Sequence, residues 1–99
     1  VLIKPGKQYY FSWQVTTPDR FGNVTLYNAG GSEAVNVQIE PANGADISPR
    51  RWHQARISPS GISERFKVSR AGAAKYPSIR IMWQDAERKP YSVILEVKI

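Results

Sequence analysis

Apolar and polar positions alternate along most of this chain. Tyr9, Phe11, Trp13 and Val15 alternate with Tyr10, Ser12 and Gln14, and Val24 and Leu26 with Thr25 and Tyr27. Val35, Val37 and Ile39 alternate with Asn36, Gln38 and Glu40, and Phe66 and Val68 with Arg65, Lys67 and Ser69. Ile79, Ile81 and Trp83 alternate with Arg80, Met82 and Gln84. Tyr91, Val93, Leu95 and Val97 alternate with Ser92, Ile94, Glu96 and Lys98. A period of two is that of a strand, whose successive side chains point to opposite faces, so each run offers one apolar and one wetter face. Two antiparallel layers closed over their apolar faces satisfy that pattern.

Turn chemistry separates the runs. It falls at Pro5-Gly6, Thr17 to Gly22, Asn28 to Ser32, Pro41 to Gly44, Pro49, Pro59-Ser60-Gly61, Ala71 to Pro77 and Asp85 to Pro90. Gly supplies positive φ, Pro fixes φ, and Asn and Asp bond back to nearby backbone. The spacing predicts seven or eight strands over 8–15, 22–28, 34–40, 45–48, 54–58, 62–69, 78–84 and 91–98. Gly72 argues for a loop over 71–75 rather than a helical turn. No internal repeat or low-complexity tract interrupts the pattern.

One stretch is more specific. Residues 22–40 end a strand in Asn28-Ala29-Gly30-Gly31 and begin another with Ala34, Asn36 and Val37. Ile57-Ser58-Pro59-Ser60-Gly61-Ile62-Ser63 precedes Phe66-Lys67-Val68. Ile79-Arg80-Ile81-Met82-Trp83-Gln84-Asp85 precedes Tyr91. In order and spacing these three pieces resemble bacterial immunoglobulin-like modules of the CARDB (cell-adhesion-related) kind. The match departs at Arg88-Lys89-Pro90, where a Gly is common, and at Ser60, which separates Pro59 from Gly61. The resemblance implies an all-β, immunoglobulin-like antiparallel β-sandwich over 1–99. It also implies a non-catalytic module of a longer protein, associated with the cell surface or envelope, with no catalytic residues to carry over. The antibody-type Cys–Trp–Cys core is absent, so Trp13 and Trp83 are expected to fill that volume.

Length and composition sharpen this picture. Ninety-nine residues make one domain. With no cysteine, disulfide scaffolds, thiolate zinc sites and cysteine nucleophiles are excluded. No apolar run approaches the roughly 18 residues of a membrane span. The start at Val1 reads as a processed or excised end of a longer chain, with 1–7 as a lead-in. Net charge is +6, from 14 Lys and Arg against 8 Asp and Glu, but the cations are scattered. Nucleic-acid binding, which needs them to converge, therefore ranks behind other readings.

Candidate chemistry is sparse. His53 is the sole histidine, so a two-His metal site within one chain is ruled out. No Gly-x-Ser-x-Gly elbow accompanies it. Asp85-Ala86-Glu87 has oxygens for calcium, but a turn residue bonding its own backbone is the simpler reading. Gly30-Gly31 lacks the residues of a phosphate loop and reads as a hairpin turn. Asn23-Val24-Thr25 fits the glycosylation sequon, a match common by chance. No cofactor site is expected.

Only Arg50-Arg51-Trp52-His53-Gln54-Ala55-Arg56 has binding character. Arg and Trp are enriched where interfaces concentrate their energy. As a contact site, Arg50, Arg51 and Arg56 would supply anion contacts and Trp52 an aromatic anchor; the simpler reading is a strand or edge whose Trp covers the sandwich and whose Arg stems shield apolar surface. The expected partner is a protein. A carbohydrate would instead need Trp13 or Trp83 exposed beside Tyr10 or Tyr27.

Overall fold

The computed structural model describes residues 8–72 and 75–98. The lead-in expected over 1–7, and Ala73 and Ala74 of the expected loop, lie outside the described residues. The fold is all-β and antiparallel. Its strands are β1 (Trp13–Val15), β2 (Asn23–Val24), β3 (Leu26–Asn28), β4 (Ala34–Pro41), β5 (Ala45–Ser48), β6 (Trp52–Ile57), β7 (Phe66–Arg70), β8 (Ser78–Gln84) and β9 (Pro90–Glu96). One sheet runs β6-β4-β8-β9. Two smaller ones run β2-β7-β5 and β1-β3.

Nine strands appear among the described residues because the strand expected over 22–28 is divided at Thr25. There the Thr16 side chain takes a backbone partner's place: Thr25 N–H donates to Thr16 Oγ1 at 2.8 Å, while Thr16 N–H donates to Thr25 O at 3.0 Å. On either side of this break β2 pairs with β7 and β3 pairs with β1, so one run of chain joins both smaller sheets. Residues 8–12, expected to continue β1, form no strand. They hold the turn after β3 instead. Tyr10 N–H donates to Ser32 Oγ at 2.8 Å, and Ala29 N–H to Ser12 O at 2.8 Å. Gly30 is needed there, because a Cβ would overlap the Tyr10 carbonyl oxygen.

Val24, Leu26, Ile47, Phe66 and Val68 of the smaller sheets meet Val37, Ile39, Ile79, Ile81 and Trp83 of the larger one in a single core. Burying each such side chain contributes roughly 1.5–3 kcal/mol. Trp13 and Trp83 join this core and meet edge to face, with ring centroids 5.4 Å apart. A bulge adjusts β4 to this core. Asn36 has φ 51°, and the register against β8 slips between Val35 and Gln38. The extra residue reverses the alternation, so Ala34 and Val37, three positions apart, are both fully buried.

Among the described residues β9 pairs only with β8, and β1 only with β3. A groove of about 260 Å³ between them is lined by Phe11, Trp13, Trp83, Val93 and Leu95. It continues past Trp13 and Leu95 toward Thr17 and Lys98. Because Phe11 lies near Val93 at one end and Thr17 near Lys98 at the other, β1 and β9 point the same way.

Candidate functional site

The alternation that buries one face of the four-stranded sheet exposes the other. Cross-strand register places His53 beside Gln38, Gln38 beside Met82, and Met82 beside Ser92, a row spanning β6, β4, β8 and β9. Toward one end Asn36 Nδ2 donates to Gln84 Oε1 at 2.9 Å, a bond set up by the bulge. Toward the other, Arg80 Nη1 donates to Glu40 Oε1 at 3.1 Å. Two grooves follow this face. The larger, about 530 Å³, runs from Asn36 and Gln84 to Gln38, His53, Met82 and Ser92. The second, about 400 Å³, shares Gln38, His53 and Met82 and ends at Arg50 and Arg51. Amides, an imidazole, a thioether and two guanidiniums offer hydrogen bonding, apolar contact and positive charge along one surface.

The expected binding segment divides on this frame. Arg50 and Arg51 are exposed in the turn between β5 and β6, beside a cis Ser48–Pro49 bond. Trp52 covers the sandwich, as the simpler reading of this segment has it, and is not an exposed anchor. It is 5% exposed and packs on Phe66 with ring centroids 5.6 Å apart. The strand expected to begin at 54 begins at Trp52, whose partner Ile39 faces the core. Arg56 does not join Arg50 and Arg51. It lies five residues on, about 16 Å along the strand, and faces Glu33 at 3.9 Å. That exposed pair contributes about 0–1 kcal/mol.

Of the four aromatics of the carbohydrate reading, Tyr10 alone is exposed. Trp13 and Trp83 are 8% and 6% exposed, and Tyr27 is half-buried. Sequence reasoning missed Gln38, Met82 and Ser92. Their signal was present as the polar members of three alternating runs, but only register shows that they form one row.

Asp85 is buried and its oxygens are engaged. Oδ1 accepts from Glu87 N–H at 2.8 Å and Lys89 N–H at 3.0 Å, while Oδ2 accepts from the Tyr91 hydroxyl at 2.9 Å. Burial pushes the carboxyl up, but the Lys89 and Tyr91 bonds, with that of Glu87, outweigh it and hold the group below its ordinary value. Bonding to Asp85, then burial, raises the Tyr91 phenol. Asp85 thus shapes the β8–β9 turn. Among the described residues no cluster of three or more His, Cys, Asp or Glu is placed to hold a metal.

No protein-family model matches this sequence, and no curated protein matches it.

Proposed function

We propose that this chain is a non-catalytic interaction module with an immunoglobulin-like sandwich, carried in a longer bacterial surface or envelope protein. Its contact surface is the outer face of the four-stranded sheet together with Arg50 and Arg51, and its partner is a protein with an acidic patch. The observation that carries this reading is the pair of grooves sharing Gln38, His53 and Met82 and ending at the two arginines. A rigid sheet supplies position, and the exposed guanidiniums supply attraction and orientation. The three turn-and-strand pieces support the immunoglobulin-like and bacterial parts of the reading.

Panning a random peptide library on the intact chain tests it. Acidic peptides are expected. Their affinity should fall about tenfold in an Arg50→Ser/Arg51→Ser variant and again in Met82→Glu, with the circular dichroism unchanged. Peptides indifferent to both variants overturn the assignment of this face. Selective binding of polysaccharides across it would make the module a carbohydrate reader instead.

A further inference from the structure

We propose that the turn over 18–22 docks this chain on an anionic lipid bilayer, with Phe21 entering the interface and Arg20, Arg65 and Lys67 meeting lipid phosphates. The inference uses a surface apart from the face assigned above and does not depend on it.

The turn is firmly built. Asp19 N–H donates to Asn23 O at 3.0 Å, and Gly22 N–H donates to Asp19 O at 3.0 Å. One oxygen of the Asp19 carboxylate accepts from Phe21 N–H at 2.8 Å and Asn23 N–H at 3.0 Å. The other accepts from Asn23 Nδ2 at 3.3 Å. Gly22 supplies a positive φ of 81° for the return into β2. Arg20 and Phe21 are left at the tip, and Phe21 is 64% exposed. One exposed apolar residue is ordinary in itself. What distinguishes Phe21 is the charge around it.

The Arg20 guanidinium lies over the Phe21 ring, 4.8 Å from its centroid. Lys67 stands opposite Asn23, and its neighbour Phe66 points into the core, so Lys67 points outward. Arg65 is on the same side by alternation, and its charge reaches the turn. The Asn23 N–H bond foremost, with Arg65 contributing, holds the Asp19 carboxyl below its ordinary value. Three exposed cations thus stand near the ring against one carboxylate, whose oxygens are engaged within the turn.

Charge complementarity and shape together select a bilayer. An apolar tip among cations fits the headgroup region of an anionic membrane, where apolar area inserts and each Lys or Arg strengthens binding about fivefold. Nucleic acid, the other polyanion, is held by several aromatics along a groove that tracks its backbone. Here one ring stands on a two-residue tip, with Arg20 already over it. The grooves described above are lined by other residues.

Co-sedimentation of the intact chain with vesicles tests the inference. On equimolar phosphatidylglycerol and phosphatidylcholine at low salt, reversible binding of roughly 10³–10⁴ M⁻¹ is expected, and about tenfold less on phosphatidylcholine alone. Phe21→Ser should weaken it about tenfold. Arg65→Ser/Lys67→Ser should weaken it about twentyfold and remove most of its salt dependence. Arg20→Asn should cost about fivefold, whereas Arg88→Asn, in the β8–β9 turn at the opposite pole, should cost nothing. Phe21→Trp should shift its emission to the blue on these vesicles, against three indoles that are already shielded. The circular dichroism should stay unchanged throughout. Absence of binding at about 10 mM lipid overturns the proposal. So do equal losses in Arg20→Asn and Arg88→Asn, which would mean that net charge binds without this turn, or an unshifted emission in Phe21→Trp. Tighter binding to single-stranded DNA than to the vesicles, lost in the same variants, would make this a nucleic-acid surface and overturn it too.

Discussion

β8 and β9 lie side by side with the same alternation, yet they occupy different environments. Ile79 and Ile81 are fully buried, and Trp83 is 6% exposed. Their direct cross-strand partners Leu95, Val93 and Tyr91 face the same way and are only half-buried. The difference lies in neighbours: β8 is paired with β4 and β9, whereas among the described residues β9 is paired on one side only and meets β1 across a groove on the other. Periodicity fixes the side to which a residue points, and its place in the sheet fixes how much water is removed from it.

The largest expected effect measures that difference directly. Ile81→Ala should cost about 2–5 kcal/mol in urea unfolding, because a cavity opens between two layers. Val93→Ala, one strand away, should cost about 1 kcal/mol. Equal costs would mean that β9 is covered in solution and would break the comparison. A smaller loss is expected at the N-terminal side of the groove. Gly30→Ala forces the Tyr10 carbonyl aside and should cost about 1–3 kcal/mol, read from the same unfolding curves.

The β8–β9 turn responds to pH. The Asp85 carboxyl is held below its ordinary value, so its contribution is complete above that value. It is lost as pH falls through the lowered one. The Tyr91 phenol is raised, so its contribution is complete below the ordinary tyrosine range and is lost as pH rises through the higher value. Asp85→Asn should therefore flatten the acid limb of the urea midpoint against pH. The smallest effect is optical. A neutral quencher should reduce tryptophan fluorescence only weakly, and Trp52→Phe should leave the quenching slope nearly unchanged, because all three indoles are shielded.

The strands over 34–40, 45–48 and 78–84 are legible in the sequence because turn residues bound each run closely. Residues 8–12 are not, since their alternation is real but their hydrogen bonds go to the turn at 29–32. The Asn36 bulge is also hidden, as a single residue reverses the phase with no break in composition. Trp52 shows why the site was only half legible. Two residues of strand boundary decide whether it stands in a turn or opposite Ile39, and Ile39 is far from it in the chain. Arg50 and Arg51 could be recognised by type, but the row that continues from them depends on register.

The parallel course of β1 and β9 has a mechanical consequence. The described chain enters at the Tyr91 end of the groove and leaves at the Lys98 end, so its two exits lie at opposite poles. Tension between residues 8 and 98 would load the β1–β3 and β8–β9 ladders in shear, straining their hydrogen bonds together instead of peeling them one by one. Set in a longer chain, the module would transmit a pull along its length, and the seven-residue β8–β9 ladder would resist longer than the three-residue β1–β3 ladder.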